Sequence, residues 1–277
     1  MPHTLRAHET SPLLSPYPRA TDTPKKPTPL QRLKRHLTTE INPRGTDLIL
    51  LSCYTITGLL DSSAVFIWGS FASMQTGNTV YLGLGLSGLD EIGKSQRWLK
   101  ALISISSFCV GSLFFAALVR VFRSSRERGA LVLSFMLQMG CVAVAAAIVS
   151  FTPQLQDKTD RLGWGNGVPL ALVAFQSAGQ AVTSRVVGFN GLTSVVLTSV
   201  YCDLFSYLGG SGRGKRADEW RRLGAVGGLM LGILLGAVWA KSEVGLMGAL
   251  WTAVVFKGAI AVAWFCWKGE EGGRLIE

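Results

Sequence analysis

The residues of this chain that could do chemistry are few, and they stand inside apolar runs. Asp61 closes the step Gly58-Leu59-Leu60-Asp61 deep in one such run, and Thr76-Gly77-Asn78-Thr79 follows as a polar step before a second, shorter one. Asp203 and Lys257 lie within later apolar segments, and Arg185 sits near the end of another. In hydrocarbon, a charge or an interrupted helix costs free energy unless protein or water satisfies it, so intramembrane charges face the bundle interior and pair there. One reading makes Asp61 and Asp203 the ligands of a proton, a cation or a small polar solute, with Lys257 as counter-ion. The other makes them a buried salt bridge that fixes helix register. Arg185 reads as a side chain that snorkels to the interface.

Thr76, Gly77 and Asn78 also admit two readings. As the start of a half-helix, they would aim backbone N–H groups and a positive dipole end at an anionic or polar solute near the midplane. As an N-cap, Thr76 or Asn78 would satisfy the orphan N–H groups of a helix start.

Other chemistry is narrowed by what is missing. The three histidines (His3, His8 and His36) all precede the first apolar segment, which removes histidine triads, HExxH zinc sites and histidine relays from the membrane region. The five cysteines lie singly in apolar segments, without metal spacing, and read as small buried hydrophobes. Gly209 to Lys215 has the glycine and lysine spacing of a phosphate loop, but Arg216 stands where Ser or Thr must hold magnesium. The expectation is a protein that is not an enzyme and carries no cofactor or metal.

The elements that must position these residues follow from composition. Mean hydropathy is +0.34 and 16% of residues are charged, and several apolar runs reach the roughly 20 residues that cross a bilayer as a helix. They run from about Asp47 to Trp68, Thr76 to Leu89, Trp98 to Phe122, Ala130 to Phe151, Val168 to Val187, Leu192 to Leu208, Leu223 to Ala240 and Leu246 to Trp267. The second is only about 14 residues, short for a crossing. Gly228, Gly232 and Gly236 recur every fourth residue, which lines one helix face for close approach. Trp68, Trp98, Trp164, Trp220, Trp239 and Trp267 mark segment ends, as an interfacial belt predicts. Part of the net charge of +10 lies in the tail and short loops, which suits cytosolic segments of a membrane protein better than a nucleic-acid binder.

Residues 1–45 are rich in Pro, Ser and Thr and poor in apolar residues, and composition predicts a disordered, basic, cytosolic tail. Glu9 to Leu14 fits an acidic dileucine sorting pattern, and Gln31 to His36 is basic enough to favour an anionic inner leaflet. Residues 46–267 form the transmembrane domain, and 268–277 a short cytosolic C-terminus.

Within that domain two halves, about 46–151 and 168–267, echo each other. Thr79 to Leu84 aligns with Ser199 to Leu204, Gly111 to Leu113 with Gly232 to Leu234, and Gly129 to Leu131 with Gly248 to Leu250, at offsets of 119 to 121 and in the same order. If the second and sixth segments are half-helices, six spans result and the halves are inverted; if they cross, there are eight spans and the halves are parallel. The positive-inside rule does not separate the two layouts, because the loops exchange sides between them. The shortness of the second segment favours six spans.

On Gly58, Asp61, Phe71 and Thr76-Gly77-Asn78-Thr79, the chain resembles the YoaK-like membrane proteins, domain of unknown function 1275, over about residues 45–267. The resemblance implies about six spans, a membrane location and recurrence of the Asp and Thr-Gly-Asn positions, matched here by Asp61, Thr76, Gly77 and Asn78. In the second half, Gln176-Ser177-Ala178 departs from the family's Gln-Asn-Ala step, and Leu197-Thr198-Ser199 keeps only the threonine. The expectation is an all-α polytopic bundle of six spans plus two short discontinuous segments. It would bind Asp61, Thr76, Gly77, Asn78, Asp203 and Lys257 to a small polar solute or cation as a secondary transporter or facilitator, with a non-transporting membrane scaffold as the alternative. Its partner is the lipid bilayer, with no nucleic acid. Both termini are expected in the cytosol, in the plasma membrane or a vacuolar or endosomal membrane.

Overall fold

The computed structural model describes residues 27–88, 96–152, 162–206 and 213–270. Among them the regular structure is helical: α1 (Pro29–Leu37), α2 (Thr46–Trp68), α3 (Gln75–Leu86), α4 (Arg97–Val121), α5 (Arg128–Phe151), α6 (Trp164–Val186), α7 (Thr198–Ser206), α8 (Arg213–Lys241) and α9 (Gly245–Cys266). Among the described residues five stretches, in α2, α4, α5, α8 and α9, are long and apolar enough to cross a membrane. Helix α6 equals α2 in length, at 23 residues, but buries Asn166, Gln176, Ser177, Gln180, Thr183 and Ser184. It packs between α4 and α5 and also touches α2, and a helix enclosed by protein need not be apolar all round.

Two of the expected apolar segments are short helices. At 12 residues, α3 is about 18 Å long against roughly 30 Å of hydrocarbon. Among the described residues, the segment expected over Leu192 to Leu208 is helical over the 9 residues of α7. Residues 192–197 are irregular, with Ser194 at a φ of 60°. The basic stretch expected as a loop up to Arg222 is instead the start of α8, where Asp47 and Asp218 hold Arg221 at 2.8 and 2.9 Å.

The tail expected to be disordered up to residue 45 has structure from residue 27 onward. Thr28 and Gln31 form a reciprocal capping box at the start of α1, Ile41 is fully buried, and isolated β-bridges join Glu40 to Glu127 and Ile41 to Gly269. Composition weighs what a segment can bury by itself; here the partners come from distant parts of the chain, around residues 126–128 and 268–270. Residues 1–26, with the dileucine pattern, lie outside the described residues.

The principal packing pairs are α2/α8, α4/α6, α5/α9, α5/α6, α2/α9, α3/α4, α7/α8, α4/α5, α8/α9 and α2/α6. The glycine face of α8 sits on α2 as the spacing predicts: Gly224 and Gly228 meet Leu51, Gly232 meets Thr55 and Leu59, and Gly236 meets Leu59 and Ser62. Residue numbers rise together on both helices, so α2 and α8 run parallel. In α4 and α6, Gly167 lies by Ile103 and Gly111 against the Phe175 carbonyl, again in parallel. Without Cβ atoms at Gly111 and Gly232, the backbones approach closely enough for dispersion to hold the pairs in lipid.

Gly69 ends α2 at a φ of 74°, which turns the chain back into the bundle. Residues 70–74 descend to the level of Asp61, two turns below the end of α2. Helix α3 then climbs out until Gly85 lies against Trp98 at the start of α4.

Candidate functional site

Within the apolar core lie two buried polar clusters and a seam between them. The first is built on the loop between α2 and α3. Asp61 Oδ1 accepts the backbone N–H groups of Ala72 (2.9 Å) and Ser73 (2.8 Å), and Oδ2 accepts the Ser73 hydroxyl at 2.6 Å. Successive N–H groups just before a helix start form a natural anion cradle. Here the anion is the protein's own carboxylate.

Asn78 completes the fastening. Its Oδ1 accepts from the Ser70 hydroxyl (2.9 Å) and the Phe71 N–H (3.0 Å), and its Nδ2 donates to Phe71 O (2.8 Å) and Ser104 Oγ (3.0 Å). Asn78 is therefore not an N-cap: α3 begins at Gln75 with Met74 as cap and no side-chain cap bond. Thr76 is exposed and is not the cap either. Gly77 lies under the Phe71 ring, where a Cβ would stand 2.7 Å from a ring carbon.

The second cluster surrounds Lys257, which is fully buried in α9. Its Nζ donates to Gln138 Oε1 at 2.6 Å and Gln180 Oε1 at 2.9 Å and lies 5.4 Å from the centre of the Phe135 ring. Gln180 Nε2 donates to the Cys53 carbonyl (3.1 Å) and to Ser194 Oγ (3.4 Å), which ties α6 to α2 and to the irregular stretch before α7. Neither Asp61 nor Asp203 is within ion-pair distance of Lys257. The expected counter-ion pairing is replaced by neutral amides.

Between the clusters runs a polar seam. Cys53, Thr57 and Asp61 recur every fourth residue on α2, and Gln176 and Gln180 do so on α6, so each set shares one helix face. Gln180 bonds the Cys53 carbonyl while Ser177 Oγ reaches Ala72 O (3.5 Å) at the Asp61 level, so the two helices run antiparallel here and Thr57 and Gln176 each lie one turn from the Gln180–Cys53 bond toward Asp61. Thr57 Oγ1 and Gln176 Oε1 are buried without a hydrogen-bond partner among the described residues. Buried polar atoms of this kind are normally satisfied by water or a polar ligand.

The structure thus brings Asp61, Gly77 and Asn78 together around one loop, turns Thr76 outward and sets Lys257 apart. Asp203 is half-exposed on α7, with its carboxylate 3.6 Å from Arg222. Gln138, Ser104 and Ser194 carry bonds of the interior that sequence reasoning did not single out. A lone amide in the apolar run Ala130 to Phe151 was the available signal for Gln138; the two serines gave none. Among the described residues no group of three His, Cys, Asp or Glu side chains converges as a metal site would.

Residues 49–263 match the family model described as a protein of unknown function, DUF1275. Neither a curated protein nor a solved structure matched the chain.

Proposed function

The chain belongs to the DUF1275 family, and within that frame we propose that it is a facilitator or secondary transporter of a small polar solute, which passes along the α2/α6 seam between two inverted halves. Six helices (α2, α4, α5, α6, α8 and α9) cross the bilayer, and α3 and α7 are re-entrant half-helices. The basic end, with Arg120, Arg123, Arg126, Arg216 and Arg222, faces the cytosol together with both termini.

Several observations support two related halves, and the 12-residue length of α3, too short to cross, favours their inversion. Exchanging α2, α3, α4 and α5 for α6, α7, α8 and α9 turns the set of principal packing pairs into itself. The parallel pair α2/α8 has its counterpart in α6/α4, and the close approaches at Gly232 and Gly111 belong to positions that the sequence aligns. Glycines in the left-handed region follow both α2 and α6, Gly69 at 74° and Gly188 at 88°. Asp61 fastens Ser73 before α3, while Gln180 reaches Ser194 before α7.

The observation that carries the solute reading is the unsatisfied pair Thr57 Oγ1 and Gln176 Oε1, buried where the halves meet. Transporters with repeated halves bind at such an interface and expose it alternately by rocking. Asp61 and Asn78 act here as fasteners of the re-entrant loop and leave the ligand contacts to the seam. Their internal saturation favours the second reading, a non-transporting scaffold. Re-swelling of proteoliposomes in gradients of urea, glycerol and neutral amino acids separates the two. Transport predicts faster re-swelling for at least one solute than in protein-free vesicles, reduced by Gln176→Leu. Rates equal to protein-free vesicles for every solute would leave the scaffold.

A further inference from the structure

Helix α1 carries more apolar surface than the protein covers. Leu30, Leu33 and Leu37 fall on one stripe at helical spacing, and Leu30 and Leu33 are 75% and 45% exposed. Arg32 and Arg35 lie on the opposite side, with Lys34 at the stripe's edge, all exposed. This is the pattern of a helix lying in a membrane interface, with its apolar side among acyl chains and its cations at the headgroups.

The bundle fixes where α1 can lie. His36 Nε2 donates to the Phe265 carbonyl (2.8 Å), which leaves Nδ1 to accept from Arg128 Nη1 at 3.0 Å; the same guanidinium donates to His36 O at 2.6 Å. The His36 and Phe265 rings pack 4.8 Å apart, and Leu37 lies against Gly129 at the start of α5. Phe265 is itself 40% exposed on the last turn of α9, beside Trp267, so α1 is pinned at the rim of the bundle where an interfacial aromatic sits. A nine-residue helix is marginal in water by itself. This one is capped at its N-terminus and clamped at its C-terminus, and the leucines between project past the rim.

We propose that α1 is an interfacial anchor that seats Leu30 and Leu33 in an anionic leaflet, with Arg32, Lys34 and Arg35 bound to phospholipid headgroups. The leaflet, rather than another protein, is the occupant that the features favour together: an apolar stripe, flanking cations and fixation at membrane depth. This inference does not depend on solute passage.

The test places a nitroxide at position 30 or 32 (Leu30→Cys, Arg32→Cys) of the full chain lacking its native cysteines. The protein is reconstituted in phosphatidylcholine with or without phosphatidylserine. Relaxation by oxygen reports lipid, and relaxation by a soluble nickel chelate reports water. The expected result is oxygen-dominated relaxation at position 30 and nickel-dominated relaxation at position 32, with the contrast sharpened by phosphatidylserine. Lys34→Gln with Arg35→Gln should remove that sharpening. Equal nickel access at both positions in both lipids would overturn the anchor. Shielding of position 30 from both reagents would overturn it in favour of a protein partner. A contrast indifferent to phosphatidylserine would overturn the anionic preference.

Discussion

Gln138 of α5 and Lys257 of α9 are 119 residues apart in the chain and share a 2.6 Å hydrogen bond inside the bundle. The offset equals the spacing at which Gly129 to Leu131 and Gly248 to Leu250 align. Within the proposed duplication these are one position written twice, meeting itself near the axis between the halves. One copy is an amide and the other a lysine, so the position bonds to its own counterpart, the Nζ donating to the amide oxygen.

Lys257→Met should therefore destabilise the protein by leaving the Gln138 and Gln180 oxygens without a donor, at about 1–3 kcal/mol for each unsatisfied group. Adding Gln138→Leu should recover part of the loss, because one orphan is removed with its partner. Thermal unfolding in detergent reads both. A Lys257→Met protein as stable as the parent would contradict the assignment.

The fastening at Asp61 predicts a coupled pair. Asp61→Asn should cost about 1.5–3 kcal/mol, since it replaces a carboxylate that accepts three donors. Ser73→Ala, which removes one charge-assisted bond to that carboxylate, should also cost about 1.5–3 kcal/mol. The double variant should cost less than the sum, as contacting residues do. A cysteine at Met74 in the Asp61→Asn background should react faster with a hydrophilic thiol reagent than in the parent, as the loop loosens.

The glycine contacts divide by position. A methyl at Gly232 meets the Thr55 carbonyl, whereas Gly140 on α5 has nothing within 4 Å. Gly232→Ala should lower stability by about 1–3 kcal/mol through overpacking. Gly140→Ala should be neutral or stabilising by up to about 1 kcal/mol through backbone entropy. Equal effects at the two sites would contradict the α2/α8 interface.

Asp203 gives a contrasting case. Its pair with Arg222 is partly exposed, so Asp203→Asn should change stability by about 1 kcal/mol or less and leave solute passage unaltered. A loss comparable to that of Lys257→Met would return Asp203 to the interior role that the sequence suggested.

The helices were legible because lipid imposes length and hydropathy on whatever it touches; α2, α4, α5 and α9 begin and end within a few residues of the expected limits. Helix α6 was legible by length despite its amides. The end of the bundle that holds α1 was not, since Arg128, His36, Phe265 and Gly269 meet only in the fold. At the site, Asp61, Asn78 and Lys257 stood out as polar groups in apolar runs, but their partners did not. A carboxylate and an ammonium suggest each other in sequence, and the backbone N–H groups of Ala72 and Ser73 leave no mark there. The seam was half legible: Gln176 stood out as an amide in an apolar run, whereas Thr57 left no mark, and that both are buried without a partner is visible only in the fold.

The most direct test of passage between the halves is the reactivity of one engineered thiol at Thr57 with a small, charged, membrane-impermeant thiol reagent, in reconstituted protein lacking its native cysteines. Val142, fully buried on α5, supplies the comparison as Val142→Cys. The account predicts that Thr57→Cys reacts in the folded, membrane-embedded protein, that Gln176→Cys does likewise, and that Val142→Cys does not. If Thr57→Cys is as inert as Val142→Cys, the seam does not open, and solute passage along it is contradicted.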